Sequence, residues 1–423
     1  MTASAGDPLP QSDAAAHRIG EPSPLIFHMF AALIGYQQAL LAAPKAHDDR
    51  FPWAPHLRDA ARALDGEPDR LAVAREIGAR LSTMVAGLER WQTDPYRRSL
   101  ADPPVLWSRG STRLLDYGQV RGAAPEGRPL LVVPSLINRA YVLDLMPERT
   151  LLRWLAARGF RPLLLDWGEP GVAECGFGIA EYGSERLLPA MRALREGAGG
   201  PVPVLGYCMG GTLAAGLAAR LPEDVAALVT IGAPWNFDAH TGLSGGLRAM
   251  LRAEGPERVE ALLEALGDAF GAVPVLLLQT LFALVNPMQM TIKFQRFARL
   301  PAESRAARHF VALEDWVADG VPMATRAAID LLVDWQIRNR IIRGGWSFLG
   351  GTVRADAIRA PTLAFCGQTD SIAPLPISRA LPEAVPGARM IAPPTGHVGM
   401  VAGSAAPAQV WRPLADFLDA HRG

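Results

Sequence analysis

One stretch limits what this chain can become. Val202-Pro203-Val204-Leu205 is a short apolar run, Gly206-Tyr207-Cys208-Met209-Gly210-Gly211 follows directly, and an Ala-rich segment continues over 211–220. A strand that turns at once into a helix must fold back sharply, so main chain passes close on both sides of the central residue. Glycine two before and two after leaves room for that, and the central residue is lifted out at the strand's end. Here it is a cysteine, and the positive end of the following helix faces its thiol and raises its reactivity. Gly211, Thr212, Ala214, Ala215 and Gly216 are small enough for the helix to lie close on a sheet. A structural cysteine in a glycine-rich turn is the competing reading; the flanking strand and helix weigh against it.

The rest of the chain supplies the sheet. Short apolar runs at Leu130–Val133, Arg161–Leu165, Val202–Leu205, Ala226–Ile231, Thr362–Phe365 and Arg389–Ala392 alternate with helix-length segments such as 148–158 and 182–196. Alternation of this kind predicts a largely parallel sheet covered on both faces. Residues 103–118 read as two short strands around a turn at Gly110. The alternation stops between about 240 and 355, where the pattern is helical and carries Trp316, Trp335 and Trp346. The expected organisation is a disordered N-terminus over 1–23, a helical region over 24–102, an α/β core over 103–240, a helical cap over 241–355, and the rest of the core over 356–423. The fold class is α/β, an α/β-hydrolase fold with a cap and an α-helical N-terminal extension.

Charge decides little except by exclusion: 42 basic residues against 42 acidic ones argue against a nucleic-acid binder. Three cysteines (Cys175, Cys208 and Cys366) cannot make a disulfide framework and suit a reducing, cytoplasmic compartment. Met1 to Ala16 carries no basic residue and no apolar core, so no secretory signal is expected. Two apolar runs, 24–44 and 272–285, are candidates for membrane spans. The first contains His28, Gln37 and Gln38, and the second falls short of the roughly 20 residues a span needs. Both are expected to be helices buried in protein.

A thiol nucleophile needs a base, and the base an orienting acid, in that fold's order of nucleophile, acid, base. Phe365-Cys366-Gly367-Gln368-Thr369-Asp370 reads as a strand ending in a loop that presents a carboxylate. Its bland alternative is a turn or cap Asp. After the strand at Arg389 comes Pro393-Pro394-Thr395-Gly396-His397. Of the eight histidines, His17, His28, His47 and His56 precede the sheet, His240 and His309 fall in or near the cap, and His421 lies in the tail. His397 alone follows a strand in the right order. The expected catalytic set is Cys208, Asp370 and His397, with Gly206, Gly210 and Gly211 shaping the elbow. Oxyanion donors are expected from the amide of Met209 and from the loop after Leu130–Val133, with Leu136 favoured and Ile137 next. No cofactor and no metal are expected. Cys366 and Cys175 lack such a setting.

These segments together resemble the polyhydroxyalkanoate (poly-3-hydroxybutyrate) synthases, in particular the catalytic subunit of the two-component, class III type. The likeness rests on Val133 to Arg139 with Tyr141 and Asp144, on Leu165-Asp166-Trp167-Gly168, on the elbow, on Ala233-Pro234 with Phe237, on Phe310 to Trp316, on Asp370-x-Ile372-x-Pro374, and on Gly396 to Gly399. It implies an acyltransferase that polymerises (R)-3-hydroxyacyl-CoA, 3-hydroxybutyryl-CoA for instance, through an acyl-thioester on Cys208. Partners implied are a growing polyester chain or granule surface and a homodimer or second synthase subunit. Ser371 stands where the family usually has His after the triad Asp, and 24–100 differs in length from both synthase types. The same triad would also serve a thioesterase, a polyester depolymerase or a dienelactone-hydrolase-like enzyme. A third reading is a non-catalytic scaffold that kept the fold.

Overall fold

The structure, a computed structural model, describes residues 24–421 apart from 46–47, 49–50, 52, 54–56, 64–68, 125 and 240–241. The expectation for 1–23, and four of the histidines above (His17, His47, His56, His240), lie outside the described residues.

Eight strands form one sheet: β1 Val105–Arg109, β2 Thr112–Asp116, β3 Arg128–Val133, β4 Phe160–Asp166, β5 Val202–Tyr207, β6 Val225–Ile231, β7 Thr362–Phe365 and β8 Arg389–Ile391. Their spatial order is β1-β2-β4-β3-β5-β6-β7-β8. Only β2 runs against its neighbours, β1 and β4; from β4 to β8 every pairing is parallel. The six expected runs all lie in this sheet. β3 to β7 are buried on both faces, which is why they read as unbroken apolar runs rather than alternating ones. The strands 105–109 and 112–116 turn at Gly110, whose φ of +57° is a conformation glycine adopts without strain. This is an α/β-hydrolase fold.

Between β6 and β7 the chain leaves the sheet. It forms helices Gly242–Glu254, Pro256–Phe270, Val275–Val285, Gln289–Ala298 and Arg305–Ala318, then Thr325–Ile329 continuing as a π-helical stretch, Asp330–Ile337. Helix Arg70–Thr93 from the N-terminal region packs on this layer, not on the sheet: Met84, Leu88 and Trp91 meet Phe294 and Phe297. Its Gly87 is a point of close approach, since a Cβ there would lie 2.2 Å from the Phe294 carbonyl oxygen.

Helix Leu25–Ala42 departs from the expectation. It is 18 residues long, has no charged side chain, and buries only Ala32. Ile26, Phe30, Leu33, Ile34 and Leu41 are more than half exposed. By length and composition it could cross a membrane. An apolar run of this length predicts a helix but cannot say what, if anything, lies against it.

Candidate active site

The elbow is built by steric necessity. Cys208 has φ +55° and ψ −130°, outside the comfortable regions for a residue with a side chain. The strained turn is pinned by Cys208 N–H donating to the Ile231 carbonyl (2.9 Å) and Gly211 N–H donating to the Cys208 carbonyl (2.8 Å). A Cβ on Gly206 would sit 2.4 Å from Gly211 Cα, and one on Gly210 would sit 2.1 Å from the Val133 carbonyl oxygen. Real Cβ atoms do not approach so closely, so both positions require glycine. Helix Met209–Arg220 then starts at the thiol and is buried from Met209 to Ala219.

Asp370 and His397 arrive on two loops zipped together. Cys366 N–H donates to the Ile391 carbonyl (3.0 Å), Gln368 N–H to Pro393 (2.9 Å), and Thr369 N–H to Thr395 (3.3 Å). Gly367 makes this possible, because a Cβ there would lie 2.5 Å from the Thr395 oxygen. One Asp370 oxygen accepts from the amides of Ile372 (2.8 Å) and Ala373 (2.9 Å), which fixes the carboxylate. The other faces His397 Nδ1 at 2.7 Å.

That pairing engages His397 Nδ1 and leaves Nε2 free of Asp370. Nε2 is buried and has no hydrogen bond of ordinary geometry. The Cys208 thiol is nonetheless close enough to act on the ring. Burial opposes the imidazolium, but the Asp370 carboxylate and Cys208 outweigh it and hold His397 well above its ordinary range. Catalytic hydrogen bonds are often long in ligand-free proteins and tighten on binding. Tyr207 packs its ring 5.2 Å from the imidazole; burial, Cys208 and Asp370 keep its phenol protonated, far above the usual range.

Gly232 belongs to this site although sequence reasoning did not single it out. It follows β6 with φ +60°, and a Cβ there would meet His397 Cε1 at 2.9 Å. The available signal was a glycine after a strand, next to the noted Ala233-Pro234. The other cysteines stay apart. Burial pushes the Cys366 thiol up to about 11, partly offset by a hydrogen bond with Ser378, and Cys175 is exposed.

A cavity of about 80 Å³ opens on the thiol, with walls from Ile137, Met209, Leu278, Phe282, Leu331 and Gln336, among others. Of the loop expected to supply the second oxyanion donor, Ile137 lines this cavity while Leu136 packs in the core. The Ile137 N–H donates to Ser135 Oγ (3.2 Å). Helix Val275–Val285 reaches the cavity. Trp316 and Trp335 are buried elsewhere: Trp316 donates its indole N–H to the Arg139 carbonyl (2.8 Å), and Trp335 stacks edge-on against Trp346 at 5.3 Å. Among the described residues no cluster of His, Cys, Asp or Glu is arranged to hold a metal ion.

Residues 128–403, more than half the chain, match the profile of the alpha/beta hydrolase fold. The chain is 29% identical to the "Poly(3-hydroxyalkanoate) polymerase subunit PhaC" of Haloferax mediterranei over 317 residues, covering 74% of this chain and 63% of that protein. It is likewise 29% identical to the protein of that name from Haloarcula marismortui, covering 74% and 66%. With the Thiocystis violacea protein of the same name identity is 26%, covering 85% of this chain and 99% of that one. The chain therefore spans just under two thirds of the length of the first two relatives and nearly all of the third.

Proposed function

The chain belongs to the alpha/beta hydrolase fold family, and from that premise we propose that it is an acyltransferase that polymerises (R)-3-hydroxyacyl-CoA into polyhydroxyalkanoate and releases CoA. The observation that carries the reading is the thiol itself: a cysteine, not a serine, stands at the strained elbow beside the Asp370–His397 pair and beneath an apolar helical cover. Similarity to proteins named as poly(3-hydroxyalkanoate) polymerase subunits supports it.

The chemistry follows from the positions. His397 Nε2 takes the Cys208 proton while Asp370 holds Nδ1–H and so fixes the tautomer. The thiolate adds to the thioester carbonyl carbon, and the developing oxyanion is met by the Met209 N–H and an amide of the 134–138 loop, Leu136 or Ile137. Collapse breaks the bond to the CoA sulfur, which leaves with the imidazolium's proton. One thioester has replaced another, so the acyl group stays activated. A chain-end hydroxyl then gives its proton to His397 and attacks the acyl-enzyme, forming an oxoester and freeing the thiol. Water would compete at that second step, and apolar walls disfavour it. A cavity of about 80 Å³ is far below the roughly 300–1,000 Å³ of pockets that enclose drug-sized ligands. Substrate binding on this reading requires helix Val275–Val285 to move.

Residues 241–355 would then act as the cap, and the reaction would take place in the cytoplasm, at the surface of the growing polymer, with the chain alone, as a homodimer or beside a second subunit. The test is to supply 3-hydroxybutyryl-CoA, follow CoA release and analyse the product. Insoluble polyester is the expected result, with turnover lowered at least about a thousandfold in Cys208→Ala. Free hydroxy acid as the only product would mean a thioesterase, and full turnover in Cys208→Ala would refute the mechanism.

A further inference from the structure

The segment 316–323, from the last turn of helix Arg305–Ala318 into the loop after it, touches both the loop after β3 and the roof of the cavity. On one side it holds the loop after β3. Asn138 and Gly320 form an isolated antiparallel bridge. Trp316 donates its indole N–H to the Arg139 carbonyl (2.8 Å), and Arg139 Nε donates to Asp319 (2.7 Å). On the other side the same segment holds helix Val275–Val285, whose side chains roof the cavity. Gln279 donates its side-chain amide to the Val317 carbonyl (3.1 Å). Val273 and Met323 exchange main-chain hydrogen bonds of 2.8 and 3.0 Å at the helix's foot. Gly320 sits where the three meet: a Cβ there would lie 2.3 Å from Val275 Cγ2, 3.0 Å from Gln279 Nε2 and 3.6 Å from Asn138 Oδ1.

We infer that residues 316–323 form a clamp through which the position of helix Val275–Val285 sets the 134–139 loop, with Gln279, Trp316 and Gly320 as positioning residues; the catalytic consequence rests on the reading of that loop as an oxyanion donor. The physical basis is that hydrogen-bonded, closely packed elements move as units rather than deform continuously. A helix that rises to admit substrate drags the clamp, and the clamp drags the loop. Closure then restores roof and oxyanion donor in one movement, so the thiol meets a complete oxyanion site only when the cavity is shut. Acylation in the open state, where water has access, is suppressed.

Gln279→Met separates the parts. Among the described residues its amide donates only to Val317, and the substitution keeps chain length while removing that bond. Hydrogen exchange on the full-length protein reads the link without requiring activity. We expect exchange to rise about tenfold in peptides covering 134–141 as well as 275–285, with 202–207 unchanged. Faster exchange confined to 275–285 would overturn the clamp. The burst of CoA release from 3-hydroxybutyryl-CoA tests the catalytic consequence. Gln279→Met and Trp316→Phe should each slow it about tenfold, and the double variant should be no slower than the worse single one, because both break the same linkage. Multiplying effects, or a full-rate burst in Gln279→Met, would overturn the coupling. Should Trp316→Phe fail to fold, Asp319→Asn cuts the same side of the clamp. Absence of any burst from the unaltered protein counts against the polymerase reading and leaves the exchange experiment to decide the clamp.

Discussion

Helices Met209–Arg220 and Leu25–Ala42 are both apolar, and they occupy opposite extremes of this molecule. The first is made mostly of Gly, Ala, Leu and Thr, starts directly after Cys208 and is buried from Met209 to Ala219. The second is made of larger side chains, Leu, Ile, Phe and Met, and buries one alanine. Side-chain size explains the contrast better than hydrophobicity. Small residues let one helix lie within touching distance of β5 and the loop after β3, where large ones could not fit. The other packs only part of its surface, with Leu25, Met29 and Tyr36 against the cluster of Trp91 and Phe294, and leaves Ile26, Phe30, Leu33, Ile34 and Leu41 exposed. Apolar character and length together mark a segment as a helix; close-approach residues say where it sits.

The largest expected effect lies at the closest approach. Gly210→Ala would push a methyl group against the carbonyl oxygens of Val133 and Pro134, at 2.1 and 2.4 Å. Neither can yield without moving β3, so we expect a loss of about 4 kcal/mol or more, read from the urea midpoint. A loss under about 1 kcal/mol would mean that the elbow is far looser than described. Next comes Leu213→Ala in the same helix. Leu213 is fully buried, and truncating such a side chain costs about 3 kcal/mol in transfer and cavity terms.

A smaller effect is a slope against pH. His397 is held above its ordinary range by Asp370 and Cys208, against the opposing effect of burial. An unfolded histidine titrates near about 6.5. Above that pH the folded protein keeps a proton that the unfolded chain releases, so stability is complete below about pH 6.5 and is lost as pH rises through the folded value. Asp370→Asn removes the strongest group favouring the proton. It should flatten this descent while lowering turnover about 10²- to 10⁴-fold. An unchanged slope in Asp370→Asn would separate the descent from His397. Chemical denaturation between pH 6 and 9 reads both proteins.

Much of this was legible because short-range steric rules write themselves into sequence. The elbow glycines and the runs that became β3 to β8 follow from what a chain must do within about ten residues. The remainder depends on approaches across a hundred residues or more. Nothing near Leu331 or Gln336 signals that both line a cavity with Cys208. Nothing beside Trp316 signals that its indole binds the carbonyl of Arg139. The π-helical turn at Asp330–Ile337 has no local signature either. Trp316 and Trp335 in the inserted helices serve packing, while helix Val275–Val285, most of whose side chains are aliphatic, forms the roof.

The smallest expected effect tests the other half of the comparison. Leu33 on helix Leu25–Ala42 is 51% exposed. Truncating it to alanine removes surface that water already reaches, leaves no cavity, and slightly improves helix propensity. Stability of the monomeric protein should therefore change by less than about 0.5 kcal/mol, against about 3 for Leu213→Ala, although both substitutions delete the same atoms. A loss above about 1 kcal/mol would mean that Leu33 is covered in solution. If the loss also grew with protein concentration, the cover would be a second copy of the chain, because only association makes apparent stability depend on concentration. A concentration-independent loss would instead place the cover within the same chain, and the contrast between the two helices would then be one of where each is packed, not of whether it is.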